Sequence, residues 1–189
     1  MIPELTKNTI LFNFLYSIDK DLAEQCRSHG CPYCNAALHK ANYSRKPWES
    51  PVKTHDGKLT RQSLCCSRQG CRRRVLPPSC IFFGRYRYWS GAILIITALR
   101  QIRPKSYSID KLMKLFTVSR STIYRWAKWF REIFPTTDKW KTLRGRISAE
   151  VSSDQLPGSL LYYCIKHTNC EDKAFVMCLR ILAPDLSQL

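Results

Sequence analysis

The stretch LCCSRQGCRRRVLPPSC, Leu64–Cys80, combines four cysteines with a block of arginines and contains no acidic residue. A packed apolar core would have no use for the arginines, and a plain basic surface would have no use for the thiols. The pattern therefore indicates a small module in which thiols fix a loop and the loop presents positive charge.

Cysteines also occur earlier in the chain as the motif CPYC, which contains Cys31 and Cys34. Two intervening residues allow one tight turn to present both sulfurs to a single ion while backbone N–H groups point at the sulfurs. Pro32 favours the turn, and Asn35 tolerates the left-handed backbone that often follows it. This pair is therefore predicted to supply two metal ligands.

The second pair of predicted ligands is Cys66 and Cys71, with Gly70 as a flexible position just before the second sulfur. Cys65 could replace Cys66 at the cost of a wider loop, and the sequence leaves this alternative open. The 31 residues between the two pairs suffice for a small hairpin. Four thiolates in this arrangement predict a zinc ribbon that holds one Zn²⁺ per chain.

Positive charge is concentrated in the middle of the chain. Of the net charge of +17, residues 57–146 contribute +18, from 21 Lys and Arg against three acids. No Asp or Glu occurs between Asp56 and Asp110. A surface that excludes acids over such a length is suited to a polyanion, and nucleic acid is the first candidate. The three consecutive arginines, Arg72, Arg73 and Arg74, are the expected phosphate contacts.

Membrane insertion and secretion are not expected. The longest apolar run, residues 92–99, is far shorter than the roughly 20 residues of a spanning helix. Near the N-terminus the apolar residues follow helical spacing, which predicts an amphipathic core helix and not a targeting signal. Its expected buried stripe consists of Leu11, Phe14, Leu15, Ile18 and Leu22. Ten cysteines without a secretion signal favour a reducing compartment, so we expect a cytoplasmic, nucleoid-associated protein.

Two helices joined by a tight turn are predicted in YSIDKLMKLFTVSRSTIYRWAKWF, Tyr107–Phe130. Ser108 is placed to cap the first helix, and the turn falls at Thr117–Val118. Ser119 is placed to cap the second helix, which is expected to run to about residue 131. The seam between two such helices needs apolar residues at five positions, here Leu112, Phe116, Val118, Ile123 and Trp126.

The outward face of the second helix is predicted to contact DNA. Arginines on such a face recognise guanine edges or phosphates, and small hydroxyls permit close approach to the groove. The expected DNA-binding residues on this helix are Ser119, Arg120, Ser121, Tyr124, Arg125 and Lys128. An earlier helix over about residues 88–102 would complete a tri-helical domain. Thr117 departs from the usual helix-turn-helix pattern, because glycine is common at this turn.

The predicted fold is mainly α with a small β zinc ribbon. The ribbon is followed by a tri-helical helix-turn-helix domain and a short helical tail. The expected domains are an N-terminal amphipathic helix over residues 1–28, a zinc ribbon over 29–84, a DNA-binding domain over 85–146 and a C-terminal tail over 147–189. In the tail, Cys164 and Cys178 are expected to be buried core residues, and a second metal site there is the weaker alternative.

The motifs CPYC, SLCCSRQGCRRRVLPPS and LFTVSRSTIYRW resemble the zinc-ribbon plus helix-turn-helix region of bacterial insertion-sequence transposases, over about residues 29–146. The whole chain is similar to small bacterial proteins of this layout that accompany mobile elements. The resemblance implies DNA binding linked to transposition. In those transposases a catalytic domain with three carboxylates follows. Only 43 residues follow Arg146, so we expect no catalytic residues and no enzymatic activity.

The leading hypothesis is thus a zinc-dependent, sequence-specific DNA-binding protein that recognises element ends or an operator and so regulates transposition or transcription. Expected partners are double-stranded DNA and either a transposase or a second copy of the chain. One alternative is a truncated or split transposase subunit. Another is an RNA-binding or protein-interaction module built on the ribbon.

Overall fold

The computed structural model describes residues 2–45, 51, 59–82, 89–101, 107–147 and 149–183. Within these ranges the protein is mostly helical, with a small antiparallel sheet and a cluster of cysteines. The chain divides into two compact units, the first spanning Lys7–Ser90 with Leu182–Leu189 and the second Met1–Thr6 with Gly91–Ile181. The domain boundary expected at residues 84 and 85 lies outside the described residues.

A long helix opens the first unit. A 3₁₀ turn, Ile2–Lys7, precedes helix α1, Thr9–His29. The side chain of Asn8 accepts a hydrogen bond from the N–H of Leu11 and so caps the first turn of α1. Gly30 ends the helix with φ 79°, a backbone region that favours glycine. The chain therefore leaves α1 directly into the CPYC motif.

Five short strands follow α1. They are β1 (Leu38–Lys40), β2 (Tyr43–Arg45), β3 (Leu59–Arg61), β4 (Leu64–Cys66) and β5 (Arg74–Val75). Strand β1 pairs with β4, β2 pairs with β3, and β4 pairs with β5, all antiparallel. The first four strands form one long interrupted hairpin, in which the Asn42 side chain accepts from the N–H of Ser63 at the interruption. This hairpin brings the two cysteine pairs together.

The predicted apolar stripe of α1 is only partly buried. Leu11 and Leu15 are buried as expected, but Ile18 and Leu22 are half-buried, and 54% of Phe14 is exposed. The buried face is instead centred near Asp19, and it consists of Leu11, Phe12, Leu15, Asp19, Ala23 and Cys26. Apolar residues occur on two faces of α1, and a polar residue lies in the middle of the buried one. Hydrophobic spacing alone therefore selected the wrong edge of the helix.

Asp19 anchors α1 to the segment after β5. Its carboxylate accepts hydrogen bonds from the Ser79 hydroxyl and from the N–H of Cys80, the latter at 2.6 Å. Burial raises the pKa of Asp19 to about 6, although these two hydrogen bonds and the nearby Arg61 guanidinium act in the opposite direction. The Arg61 side chain is itself buried and donates to the carbonyl of Pro77 at 2.7 Å. Polar contacts thus fix the end of the cysteine-bearing segment.

Three helices follow the cysteine-bearing segment. They are α2 (Ser90–Gln101), α3 (Ile109–Phe116) and α4 (Arg120–Lys128). Helix α2 is buried around its circumference from Ser90 to Leu99, consistent with its continuous apolar sequence. The expected ends of this helix, residues 88 and 102, lie outside the described residues. The predicted bounds of α3 are confirmed, and α4 begins where expected.

Beyond α4 the chain continues as a wider π-helical turn and then a tighter 3₁₀ turn. A π-helical turn, Trp129–Ile133, continues α4 past its expected end, and a 3₁₀ turn, Phe134–Thr136, follows it. Helix α5, Asp138–Arg144, is capped by Thr137. The ring centroids of Phe130 and Phe134 are 5.9 Å apart, and those of Phe134 and Trp140 are 5.4 Å apart. These aromatic contacts form part of the packed core of the second unit.

Two further helices end the described chain. A 3₁₀ turn, Ser153–Gln155, precedes α6, Gly158–Thr168, and α7, Glu171–Leu182. Helix α6 ends before Asn169, which adopts a left-handed conformation and separates it from α7. The Gln101 side chain donates to the carbonyl of Leu156 at 2.6 Å and accepts from the N–H of Gly158 at 3.0 Å. Within this unit, α2 is thereby linked to the start of α6.

None of the helices that the structure describes combines the length and the hydropathy needed to cross a membrane.

Candidate metal centre and nucleic-acid interface

Four cysteine sulfurs converge at one point in the first unit. The Sγ atoms of Cys31 and Cys71 are 3.9 Å apart, and those of Cys34 and Cys66 are 3.4 Å apart. All four lie within 4.8 Å of one another. Sulfurs placed about 2.3 Å from one ion at tetrahedral angles would be about 3.8 Å apart. The four predicted ligands therefore lie close enough to bind one metal ion, and an all-thiolate set is compatible with zinc.

The first cysteine turn is closed by backbone hydrogen bonds. The N–H groups of Cys34 and Asn35 both donate to the carbonyl of Cys31, at 3.3 and 2.8 Å. Asn35 then takes a left-handed conformation with φ 55°, as its sequence predicts. The N–H of Cys31 donates to the carbonyl of Ala36 at 2.9 Å and closes the turn.

The second cysteine turn follows the same plan with a different residue in the left-handed position. The N–H groups of Cys71 and Arg72 both donate to the carbonyl of Arg68, each at 3.0 Å. Arg72 takes φ 45°, directly after the second sulfur of its pair, as Asn35 does in the first turn. Gly70 was expected to provide the flexible position, but among the described glycines only Gly30 has a positive φ. The wider loop places its strain one residue after the ligand.

The pKa values of two thiols in the cluster are shifted in opposite directions. The N–H of Ala36 points at Cys34 and, with contacts from the neighbouring thiols, lowers the pKa of Cys34 to about 7. Burial raises the pKa of Cys66 to about 12, and the N–H of Arg68 only partly opposes this effect. Burial therefore opposes ionisation of the Cys66 thiol. A divalent cation would remove that opposition, because it binds all four as thiolates.

The alternative of Cys65 as a ligand is resolved by the pleat of β4. Successive strand residues point to opposite faces, so Cys65 and Cys66 cannot both face the cluster. Cys66 lies in the cluster, whereas the Cys65 thiol contacts the carbonyls of Cys66 and Arg72 at 3.8 and 3.6 Å. The face of β4 on which each side chain lies, which local spacing does not reveal, thus selects Cys66 over Cys65.

The four clustered cysteines belong to or pack against a small apolar core. It consists of Cys26, Cys31, Leu38, Leu64, Cys66 and Val75, with Cys34, Ala36 and Cys71 packed against it. Cys26 belongs to α1, so the N-terminal helix completes this core. Six buried residues remove little apolar surface from water, and the strands around them contain two or three residues each. Metal binding would therefore supply much of the local folding energy.

The three arginines after Cys71 are exposed, and two of them lie over aromatic rings. The guanidinium of Arg73 is 4.4 Å from the centroid of the Tyr33 ring, and that of Arg74 is 5.5 Å from the Tyr43 ring. Stacking restricts these long side chains and leaves their N–H edges available to an anion. Sequence reasoning missed both tyrosines, since each is about 30 or more residues from its arginine and no local spacing links them.

The second predicted interface is the outward face of α4. The five seam residues, Leu112, Phe116, Val118, Ile123 and Trp126, are all buried, as predicted. The six predicted contact residues, Ser119, Arg120, Ser121, Tyr124, Arg125 and Lys128, are all exposed. Ser119 caps α4 by accepting from the N–H of Thr122, and Thr117 makes the preceding turn with φ 50°. The face is thus separated cleanly from the seam.

Arg120 has an acidic neighbour that sequence spacing did not reveal. Its Nη2 is 2.6 Å from an Asp110 carboxylate oxygen, and both side chains are more than half exposed. Exposed ion pairs of this kind contribute about 0–1 kcal/mol, so a stronger anionic or hydrogen-bonding partner can displace Asp110. The pair holds the Arg120 guanidinium beside the start of α3.

The tail cysteines are core residues, as predicted. Cys164 and Cys178 are fully buried, and their thiols share a hydrogen bond that lowers the pKa of Cys164. Burial raises the pKa of Cys178. In the part of the chain that the structure describes, the four clustered cysteines are the one group of three or more ligand atoms placed to hold a metal.

Comparison with known proteins found no matching family model, no similar curated protein and no similar solved structure.

Proposed function

We propose that this protein is a zinc-dependent, sequence-specific DNA-binding protein. In this proposal the cysteine cluster binds one Zn²⁺ and folds as a zinc ribbon, and helices α2, α3 and α4 act as a tri-helical helix-turn-helix domain. The ribbon contacts phosphates through Arg72, Arg73 and Arg74. Helix α4 enters the major groove and reads base edges with Ser119, Arg120, Ser121, Tyr124, Arg125 and Lys128.

The observation that carries the proposal is the outward face of α4. Six predicted contact residues are exposed there, three of them are cationic, and none is acidic. The opposite face of the same helix is held against α3 by a buried apolar seam. A rigid helix with a polar, basic and uncovered face after a capped N-terminus meets the geometric requirement for major-groove reading.

The cysteine cluster supports the second half of the proposal. Metal would fix the Cys66–Cys71 turn, and the fixed turn would hold the arginines that follow it in one orientation. Stacking of Arg73 on Tyr33 restricts that side chain further. Ordering these groups before binding lowers the entropy lost on binding DNA.

The link to mobile elements rests on the motif resemblance to insertion-sequence transposases. We propose that the chain recognises element ends or an operator, in company with a transposase or as a dimer, and that its role is binding rather than catalysis. The concentration of positive charge in residues 57–146, which contain both proposed interfaces, supports duplex DNA as the ligand.

The test begins with selection of bound duplexes from a random library, with zinc measured in the same preparation. Arg120→Ala and Arg73→Ala are then compared on the selected site and on scrambled duplex across a salt series. Loss of a base contact by Arg120→Ala should weaken binding to the selected site by about 1–3 kcal/mol and affect scrambled duplex less. Loss of a phosphate contact by Arg73→Ala should weaken both and lower the salt slope by about 1.

Arg27→Ala is the matched control, because Arg27 is also an exposed arginine in an ion pair, with Glu24, and lies outside both proposed interfaces. It should leave both affinities unchanged. If Arg120→Ala alters neither the preferred sequence nor the ratio of specific to non-specific affinity, α4 is not the reading helix. Tighter binding to single-stranded RNA than to any duplex would favour the RNA-binding alternative instead.

A further inference from the structure

Helix α1 has an apolar ridge outside its buried face. Ile10 is 83% exposed, Phe14 is 54% exposed, and Ile18 is half-buried. These residues are four apart and therefore form one line along the helix. Exposed aliphatic and aromatic side chains in a row, on a helix whose other face is already packed, indicate a surface that is covered in use.

The neighbours of the ridge show how α1 is already held. On one flank, the Tyr16 hydroxyl donates to the carbonyl of Thr60 at 2.9 Å, and Lys20 lies over the Tyr16 ring. On the other flank, Leu11 and Leu15 are buried. The contacts of α1 within its unit are thus made by its flanks and its inner face, and they leave the ridge outward.

Charges at the two ends of the ridge favour a second copy of α1 as the surface that covers it. Lys7 is exposed just before α1, and Asp21 is exposed on the ridge side of the helix. Both residues are seven positions from Phe14. An antiparallel copy of α1 that crosses at Phe14 would therefore place Lys7 beside Asp21 of the second copy, and Ile10 beside its Ile18. A parallel copy would instead place like charges together.

We infer that the α1 ridge is a homodimer interface in which two copies of α1 pack antiparallel about a two-fold axis at Phe14. The same patch meets itself, as two-fold symmetry requires. A single helix pair buries less surface than the roughly 1,200 Å² of a standard interface, so the dissociation constant should lie at about 1–100 μM. The inference is independent of DNA binding, because none of the proposed DNA-contacting residues takes part.

The experiment is sedimentation velocity on the zinc-loaded full chain without DNA, from about 1 μM to about 300 μM. The wild type should change from monomer to dimer across this range. Phe14→Asp and Ile10→Gln should each raise the dissociation constant at least about tenfold, since charged or polar groups replace the apolar contact. Tyr162→Asp, which alters a 70% exposed aromatic residue on α6, is the control and should have no effect.

A charge exchange tests the antiparallel register. Lys7→Glu and Asp21→Lys should each weaken the dimer at low salt, because each creates two like-charged pairs across the axis. The double variant, Lys7→Glu with Asp21→Lys, should restore it. A wild type that stays monomeric to about 300 μM overturns the proposal. So does a dimer that Phe14→Asp leaves intact, or a double variant that is no stronger than the single ones.

Discussion

Described strands of two or three residues surround a core of six buried residues in the unit that contains the cysteines. In the other unit, the π-helical turn after α4, the 3₁₀ turn that follows it and helix α5 pack through a row of aromatic rings. The core around the sheet contains little apolar surface, so a bound ion would supply much of its stability, whereas the second unit is held by aromatic and aliphatic packing. Stability that comes from a bound ion and stability that comes from packing respond to different perturbations.

The largest expected effect is loss of the metal centre. Cys34→Ser should abolish stoichiometric zinc binding and unfold the sheet, because a structural zinc site contributes about 10–16 kcal/mol and a whole domain is stable by only about 5–15 kcal/mol. Hydrogen exchange followed by mass spectrometry should show loss of protection in residues 59–82 and retention in 107–147. Cys65→Ser, beside a ligand but outside the cluster, should retain zinc. Equal loss of protection in both segments would contradict the expectation that only the cysteine unit depends on zinc.

The reciprocal experiment removes packing in the second unit. Phe130 is buried between Trp129 and Phe134, so Phe130→Ala should lower the free energy of unfolding of this unit by about 3–5 kcal/mol. Zinc content should remain one per chain. Ile133→Ala, at a half-exposed position one turn away, should cost less than about 1 kcal/mol. Loss of zinc from Phe130→Ala protein would show that the two units are not supported separately.

The buried carboxyl of Asp19 is a further source of stability in the cysteine unit, and it is independent of a metal. The pKa of Asp19 is about 6 in the folded protein and 3.8 as its ordinary value. Between about pH 4 and pH 6 the folded state retains a proton that the unfolded chain releases, so this group's contribution to stability falls as pH rises. The difference in unfolding free energy between wild type and Asp19→Asn should decline by about 3 kcal/mol across that range.

Both proteins would be unfolded by denaturant in excess zinc, so that protonation of the cysteines affects them equally and cancels in the difference. A difference that is independent of pH would show that Asp19 does not titrate in this range.

The smallest expected effect separates two glycines next to the cysteine turns. Gly30 has a positive φ, and an added Cβ would lie 3.2 Å from the carbonyl oxygen of Asn35. Gly30→Ala should therefore cost about 1–2 kcal/mol. Gly70 has open space where a Cβ would be, and Gly70→Ala should change stability by less than about 0.5 kcal/mol. Thermal unfolding of the two zinc-loaded variants makes the comparison, and equal losses would contradict it.

Local sequence rules predicted what local physics controls. Ser108 and Ser119 fixed the starts of α3 and α4, because an N-cap side chain acts within three residues of itself. The seam residues followed from helical spacing, and the four clustered cysteines from paired cysteine spacing. Each of these features depends on groups only a few residues apart, or on cysteine pairs whose spacing favours one arrangement.

Features that depend on long-range contact were missed or misplaced. The exposure of Phe14 depends on which side of α1 meets the sheet, and that side is selected by a polar residue, Asp19, through Ser79 and Cys80. The Arg120–Asp110 ion pair depends on the crossing of α3 and α4. The π-helical turn after Lys128 replaces the expected regular end of α4, at a point where aromatic packing in the unit overrides local propensity.

The left-handed backbone at Arg72 carries a conformational cost. Glycine or asparagine would occupy φ 45° at lower cost, and the equivalent position of the first turn does have asparagine. An arginine at position 72 therefore costs the turn about 1 kcal/mol relative to glycine. The disfavoured torsion angle thus marks a position at which the stability of the turn and the presence of a positive charge oppose each other.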